Sequence, residues 1–155
     1  MGYLKAGDII SGQEARAYLK ADGKVTLMFY AKKLTATAIK EKIAVKTLGK
    51  RGTQYKTNGW KGKGEMTIYY ATSDFRKQMC SYIKNGMDTE FDIQIINHDP
   101  ASTLGAQDVT LTGCSLDSVI MAAFDVDSES LSEKVTFTFD GVSIAEGFAA
   151  PEMGV

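Results

Sequence analysis

Histidine, tryptophan, cysteine and proline are almost absent from this 155-residue chain, at one, one, two and two residues respectively. Each scarcity removes a class of function. A serine or cysteine nucleophile needs a positioned base, and the one conventional candidate, His98, precedes Asp99-Pro100 in what reads as a surface turn. Cys80 and Cys114 fit no metal spacing and are too few for a disulfide framework, so they read as small buried thiols in a reducing compartment. No run of eighteen apolar residues occurs, which excludes a membrane-spanning helix. The opening MGYLKAGDIISGQ lacks the continuous apolar stretch of a secretory signal, and Ala6 stands where a myristoylation pattern requires Ser or Thr. The chain is expected to begin in a cytoplasm. No linker, low-complexity tract or internal repeat divides it, so residues 1–155 are expected to form one domain.

Motifs for bound groups are missing too. The Gly-Lys pairs at 23/24, 49/50 and 62/63 lack the earlier glycine of a phosphate loop: Tyr18, Ala44 and Thr57 stand five residues before each pair's glycine. Gly62 and Gly64 are followed by Thr67, which breaks a dinucleotide fingerprint. Asp125, Asp127 and Glu129 resemble the start of a calcium loop, but Ser130 and Thr136 occupy the positions that demand Gly and Glu. No cofactor or metal is expected, and no enzymatic activity.

What is present is a sorted charge distribution. Residues 1–64 hold 14 Lys and Arg against 4 Asp and Glu, a net of +10, whereas residues 65–155 hold 4 against 15, a net of −11. The total is −1. One domain with basic surface from its first half and acidic surface from its second allows copies to attract one another head to tail. A domain of this length buries about 68–70% of its unfolded surface, enough for a core, and 44% hydrophobic with 24% charged residues reads as soluble and globular.

Strand signals dominate. Residues 25–33, VTLMFYAKK, are rich in β-branched and aromatic types after a turn at Asp22-Gly23. Residues 34–48 alternate, but the apolar phase changes: Leu34, Ala36 and Ala38 share one face, and Ile39, Ile43 and Val45 the other. Such a strand has left its own sheet or carries a bulge, and it reads as the rising arm of a long hairpin. Residues 65–71 form the returning arm. Ser73 is placed to cap a helix to about Asn85, with Phe75, Met79, Tyr82 and Ile83 as its core stripe and Gly86 as its stop. Further strands are expected around Phe91, Ile93 and Ile95, around Val109 and Leu111, over residues 118–126, and around Val135, Phe137 and Phe139. The expected fold is mainly β: two packed antiparallel sheets, sandwich or barrel-like, with one flanking helix and a long projecting hairpin loop.

That loop, LGKRGTQYKTNGWKGKG at residues 48–64, is too long for a tight turn and too polar to fold on itself. From Lys42 to Lys63 the chain carries Lys42, Lys46, Lys50, Arg51, Lys56, Lys61 and Lys63 with no acid among them. Yet the loop contains Tyr55 and the lone Trp60, favoured interface anchors, with Gly59, Gly62 and Gly64 leaving room for a partner's backbone. It is expected to become ordered against an acidic surface of another copy. Asp125, Asp127 and Glu129 are the candidate acceptors or else a solvated acidic loop. A polyanion-binding role for the basic half is the alternative, opposed by the equal acidic load on the same domain.

Three stretches carry a family resemblance: DIISGQEARAYL, GKRGTQYKTNGWKGKGEMTIYYATSDFR and LTGCSLDSVIMAAFDVDSESL. They resemble the tail tube proteins of contractile-tailed phages and phage-like particles, including defective-prophage and bacteriocin-type tails, over most of residues 4–147. The tail FAAPEMGV lies outside the pattern. The resemblance implies two packed β-sheets with a flanking helix and hexameric rings stacked into a hollow tube inside a contractile sheath. It implies that residues 46–63 project to an adjacent subunit or ring, and that neighbouring strands line a shared channel. Its implied partners are further copies of itself and sheath, baseplate and tail terminator proteins, with DNA only as cargo in the lumen. Assembly in a bacterial host cytoplasm into a virion or phage-like tail follows from the same likeness.

Overall fold

Asp22 and Gly23 both adopt positive φ, 51° and 75°, the conformation a two-residue hairpin turn needs to match strand twist. They join β1 (Ala15–Ala21) to β2 (Lys24–Leu27), paired antiparallel from Tyr18↔Leu27 to Ala21↔Lys24. The computed structural model describes residues 2, 5–9, 11–28 and 30–150, with a short 3-10 turn at Ala6–Asp8 before β1. The strand expected over 25–33 is interrupted. β2 ends at Leu27, and β3 (Ala31–Val45) starts in a different part of the fold; Phe29 lies outside the described residues. After β3 come β4 (Gln54–Tyr69), α1 (Asp74–Asn85), β5 (Phe91–His98), β6 (Ala106–Ser118), β7 (Ser132–Phe139) and β8 (Gly141–Glu146).

The strands form one antiparallel path, β2-β1-β5-β6-β7-β4-β3, with β8 also on β6. β6 is the corner. Its residues from Ala106 to Cys114 pair with β5, those from Asp108 to Thr112 pair with β8, and Ser115 to Ser118 pair with β7. Gly113 sits at the change of direction with φ 65°. A Cβ there would lie 2.1 Å from Asp140 Oδ1, so glycine answers both a conformational and a steric demand. Asp140, between β7 and β8, donates its backbone N–H to the Thr112 carbonyl at 3.1 Å. The bent sheet thus provides two packed portions, but among the described residues β2 and β3, the ends of the path, each pair on one side only, so no barrel closes.

The core lies between the portions. Leu19, Ile93 and Leu111 enter from one, Met66, Ile68, Val135, Phe137 and Phe139 from the other, and Phe75 from α1. A chain of rings runs Tyr30, Phe75, Phe91, Phe137, Phe139 and Trp60, each centroid 6.1–6.5 Å from the next, edge-on or tilted as ring quadrupoles favour. Gly62 and Gly64 lie directly over the last two phenyl rings. A Cβ would meet Phe139 at 2.5 Å and Phe137 at 2.2 Å, so these glycines admit the protein's own core and not a partner's backbone, a correction to the sequence reading.

Helix α1 ends at Gly86 in the left-handed conformation, as expected. At its start, Ser73 makes no side-chain cap; Asp74 donates its backbone N–H to Thr72 Oγ1 instead. Of the expected core stripe, Phe75 is buried and Met79 half-buried, whereas Tyr82 and Ile83 are 56% and 67% exposed. The first turn of the helix is pinned on the core; its last turns overhang the end of β6. Residues 119–126, expected as strand, continue irregularly beyond β6 because no neighbouring strand offers a ladder there. β1 and β8 had no counterpart in the sequence reading.

Burial raises the Cys114 thiol from 9.0 to about 12, with Asp92 adding to the effect, and raises the Tyr30 hydroxyl from 10.0 to about 12, with Asp74 adding. Cys80, by contrast, is only half-buried. Both raised groups ionise more easily when unfolded, so the unfolded chain binds fewer protons above pH 9 and stability must fall as pH rises. Their contribution is complete below pH 9 and is lost towards pH 12. Urea midpoints are expected to drop between pH 8.5 and 11, and to drop less in Cys114→Ala and Tyr30→Phe, each compared with its own value at pH 8.5.

Candidate inter-subunit surface

The segment expected as a loop is mostly strand. β4 begins at Gln54 and pairs with β3 from Val45↔Gln54 to Lys40↔Trp60 and on to Ala31↔Ile68. Only residues 46–53 form the turn, where Gln54 Nε2 donates to Thr47 Oγ1 at 3.0 Å. Polarity and glycine content suggest a loop because residues 54–61 are exposed on both faces; the β3–β4 ladder satisfies their backbone without an apolar face. A register shift between Lys40 and Lys42, where Asn58 and Gly59 of β4 oppose Glu41 alone on β3, marks a bulge on β4. Gly59, with φ 97°, occupies it.

β7 flanks β4 only from Gly62 to Tyr69. The ribbon beyond, Gln54 to Lys61 with its β3 partners, projects by about 27 Å at 3.4 Å per residue. The change of apolar phase in β3 is confirmed by register: Leu34, Ala36 and Ala38 oppose Met66, Gly64 and Gly62 on the core side, while Ile39 opposes Lys61 on the outer side. Ile39, Ile43 and Val45 are 40%, 50% and 38% exposed. Lys46, Lys50 and Arg51 sit at or beside the turn, and Lys56, Lys61 and Lys63 are exposed on β4. Tyr55 is 67% exposed. Trp60, expected as a pure interface anchor, leans on Phe139 with 45% of its surface open, so it joins the core to the ribbon.

Among the described residues, the acidic candidates make no ion pair with this ribbon. Asp125, Asp127 and Glu129 are exposed on the 119–131 connection, where Asp127 donates its backbone N–H to Asp125 Oδ1 at 3.0 Å. The ion pairs among the described residues are Arg76–Glu133 and Lys134–Glu65, so the basic ribbon and the acidic connection are not neutralised against each other within one chain. Beside the acids stand Phe124 and Val126, 86% and 78% exposed. The sequence reading had placed them in a strand; once that strand is absent, they become an apolar patch in an acidic frame.

Two strand edges are open near these groups. Among the described residues, β3 has no neighbour on its far side along 15 residues. Residues 115–118 of β6 lie beyond the last β5 pairing, Phe91↔Cys114. A groove of about 330 Å3 runs there, lined by Met79 and Tyr82 of α1, Asp88, and Ser115, Leu116 and Asp117. His98, at the end of β5, is exposed, while buried Asp99 accepts from the backbone N–H groups of Ser11 and Ala101 and holds the turn. No grouping of three metal-ligating side chains occurs among the described residues.

An open-edged β domain with a projecting cationic ribbon and an acidic connection carries surfaces of the kind that structural subunits present to one another. The sequence matches the family described as phage tail tube protein over residues 2–146, and the chain belongs to that family. It is 41% identical over 143 residues, 92% of this chain and 95% of the relative, to the phage-like element PBSX protein XkdM of Bacillus subtilis strain 168. The fold is similar to a chain of an extracellular contractile injection system sheath/tube terminator, with a TM-score of 0.69 and 12% identity, covering 89% of this chain and 97% of that one. It is also similar to a chain of a sheath-tube complex of such a system, with a TM-score of 0.66 and 13% identity over 88% and 90% of the two chains. Residues 148–155, outside the family match, contain described exposed chain to Ala150; the remainder lies outside the described residues.

Proposed function

We propose that six copies close a ring and that rings stack into the hollow inner tube of a contractile phage or phage-like tail. The unpaired β3 edge, continuous with the cationic ribbon, is the observation that carries this reading. A long open edge is an aggregation hazard unless something covers it, and the lysines of this one limit indiscriminate pairing. Head-to-tail contact between the β3 edge of one copy and the open β6 residues of the next is heterologous, and such contacts close into rings when the rotation allows. Four strands per copy, from β6, β7, β4 and β3, then build a shared wall. Six copies give 24 strands, about 115 Å around at a spacing of about 4.8 Å.

The ribbon reaches a neighbouring copy or ring. Lys46, Lys50, Arg51 and Lys56 dock near Asp125, Asp127 and Glu129, and the apolar side of the contact is formed by Leu48 or Tyr55 against Phe124 and Val126. Ionic contacts fix partner and orientation, while desolvated apolar groups carry most of the affinity. Sheath, baseplate and terminator proteins are the other partners in this reading, assembly takes place in a bacterial cytoplasm, and DNA enters only as lumen cargo. The role is geometric and requires no covalent step.

Negative-stain microscopy of concentrated protein, or of protein offered a tube end as seed, is expected to show rings or rods of uniform width. Glu at Lys50, Arg51 and Lys56 together is expected to reduce assembly at least about tenfold, since each reversed exposed charge removes about 0.2–1 kcal/mol and adds repulsion. Monodisperse subunit under every condition, seeded ones included, would defeat the proposal.

A further inference from the structure

We infer that the bore of this tube is anion-selective and that Lys33, Lys61 and Lys63 set the selectivity. The inference rests on the tube reading. In the β6-β7-β4-β3 portion, one side is occupied by the core through Met66, Ile68, Val135 and Phe137, so only the opposite side is free to border a water-filled channel. Strand alternation and register place Lys33, Lys61, Lys63, Glu65 and Lys134 on that side. Between them stand Thr35 and Thr37 of β3 and Thr136 and Thr138 of β7, opposite Glu65 or Lys63. Asp117 borders the same surface. Hydroxyls and charges therefore line it, with Ile39 and the exposed Tyr69 as its large apolar side chains before the projecting ribbon begins.

The charges do not cancel. Lys134 Nζ lies 3.0 Å from Glu65 Oε2, which neutralises that pair locally. Lys33, Lys61 and Lys63 take part in neither ion pair of the described residues; Lys32, whose Nζ lies 4.9 Å from the Tyr69 ring centroid on this side, is a fourth cation, and Asp117 and Asp140 border the surface as acidic counterweights. Along the ribbon, Lys56 and Glu41 add one charge of each sign. Every copy thus presents an excess of two positive charges to the bore. On an open surface such charges are screened beyond about 8 Å at physiological ionic strength. In a closed wall they face one another across a concavity, and low-dielectric walls focus the field. Anions, phosphate groups among them, are concentrated in the bore and cations depleted.

Charged thiol reagents test this on assembled tubes. A single cysteine replaces Thr37, opposite Lys63, in a Cys80→Ser background; Cys114 is fully buried and silent. Thr138→Cys is the second reporter if Thr37→Cys does not assemble. The rate with a sulfonate-bearing thiosulfonate is divided by the rate with a trimethylammonium-bearing one, in tubes and in free subunits. The ratio is expected to rise at least about fivefold on assembly at low salt, for a potential of order one kT or more, and to collapse in Lys61→Gln/Lys63→Gln tubes. A ratio unchanged by assembly, or shifted towards the cationic reagent, overturns the inference while leaving the tube intact. Absence of tubes under the microscope instead removes the parent reading, and this one with it.

Discussion

Arg76→Ala is expected to lower the stability of the isolated subunit by about 3–5 kcal/mol, the usual result of stranding one partner of a buried ion pair. Arg76 Nη1 donates to Glu133 Oε2 at 2.7 Å, and the two side chains are 13% and 1% exposed. Glu133 Oε1 has no hydrogen-bond partner among the described residues, so the carboxylate depends on this guanidinium. Arg76 also donates to the Ile120 carbonyl at 3.3 Å and to the Thr72 carbonyl, and its guanidinium lies 4.3 Å from the Tyr70 ring centroid. One side chain therefore ties α1 to β7, to the end of β4 and to the start of the 119–131 connection. Urea denaturation followed by circular dichroism measures the loss. Arg76→Met with Glu133→Leu is expected to recover most of it, because two apolar groups leave no buried charge behind. A single Arg76→Ala variant within 1 kcal/mol of wild type would show that Glu133 finds another way to be satisfied.

The second large effect concerns assembly and not folding. In an antiparallel strand, neighbouring residues direct their N–H groups to opposite sides, so of Thr37 and Ala38 in β3, one bonds β4 and the other points to the open edge. Proline at each gives contrasting outcomes. The variant at the outward-pointing position is expected to keep the subunit folded and to abolish tube formation, since edge strands tolerate proline but cannot then donate to a neighbour. The variant at the inward position loses a ladder bond and is expected to be destabilised by about 1–3 kcal/mol. Thermal melts and electron microscopy on both distinguish the cases. Two folded variants that assemble like wild type would exclude β3 edge pairing as the way rings close.

Much of the architecture was legible along the chain because it depends on local pattern. Asp22-Gly23 as a tight turn, Gly86 as a helix stop, and the alternation of Phe91, Ile93 and Ile95 or of Val135, Phe137 and Phe139 each follow from short-range stereochemistry. So does the shift of apolar phase in β3, where Leu34 and Ile39 stand on opposite sides. Local pattern failed where pairing over long distance decided the outcome. Residues 54–64 look like loop because they are polar and glycine-rich, yet their backbone is satisfied by β3, and Gly62 and Gly64 answer to phenyl rings more than 70 residues away in sequence. Residues 119–126 look like strand, and they lack a partner.

The acidic and basic candidates show the same division. Their existence and separation by sign were apparent in the sequence, because charge is a property of residue type. Whether they meet is a property of position, and the fold keeps Lys50 and Arg51 out of ion pairs with Asp125 or Asp127 in one subunit. Alone, the sequence determined a β-rich domain of the tail tube family with opposite net charges in the two halves of its chain and a core rich in phenylalanine. Only the tertiary structure decided that β6 bends at Gly113 to serve two portions of one sheet, that β3 ends with an open edge, and that Lys33, Lys61 and Lys63 share a surface. The physical reason is that strand pairing joins residues distant in the chain, and hydrogen bonds between identical backbones leave no mark on the side chains that form them.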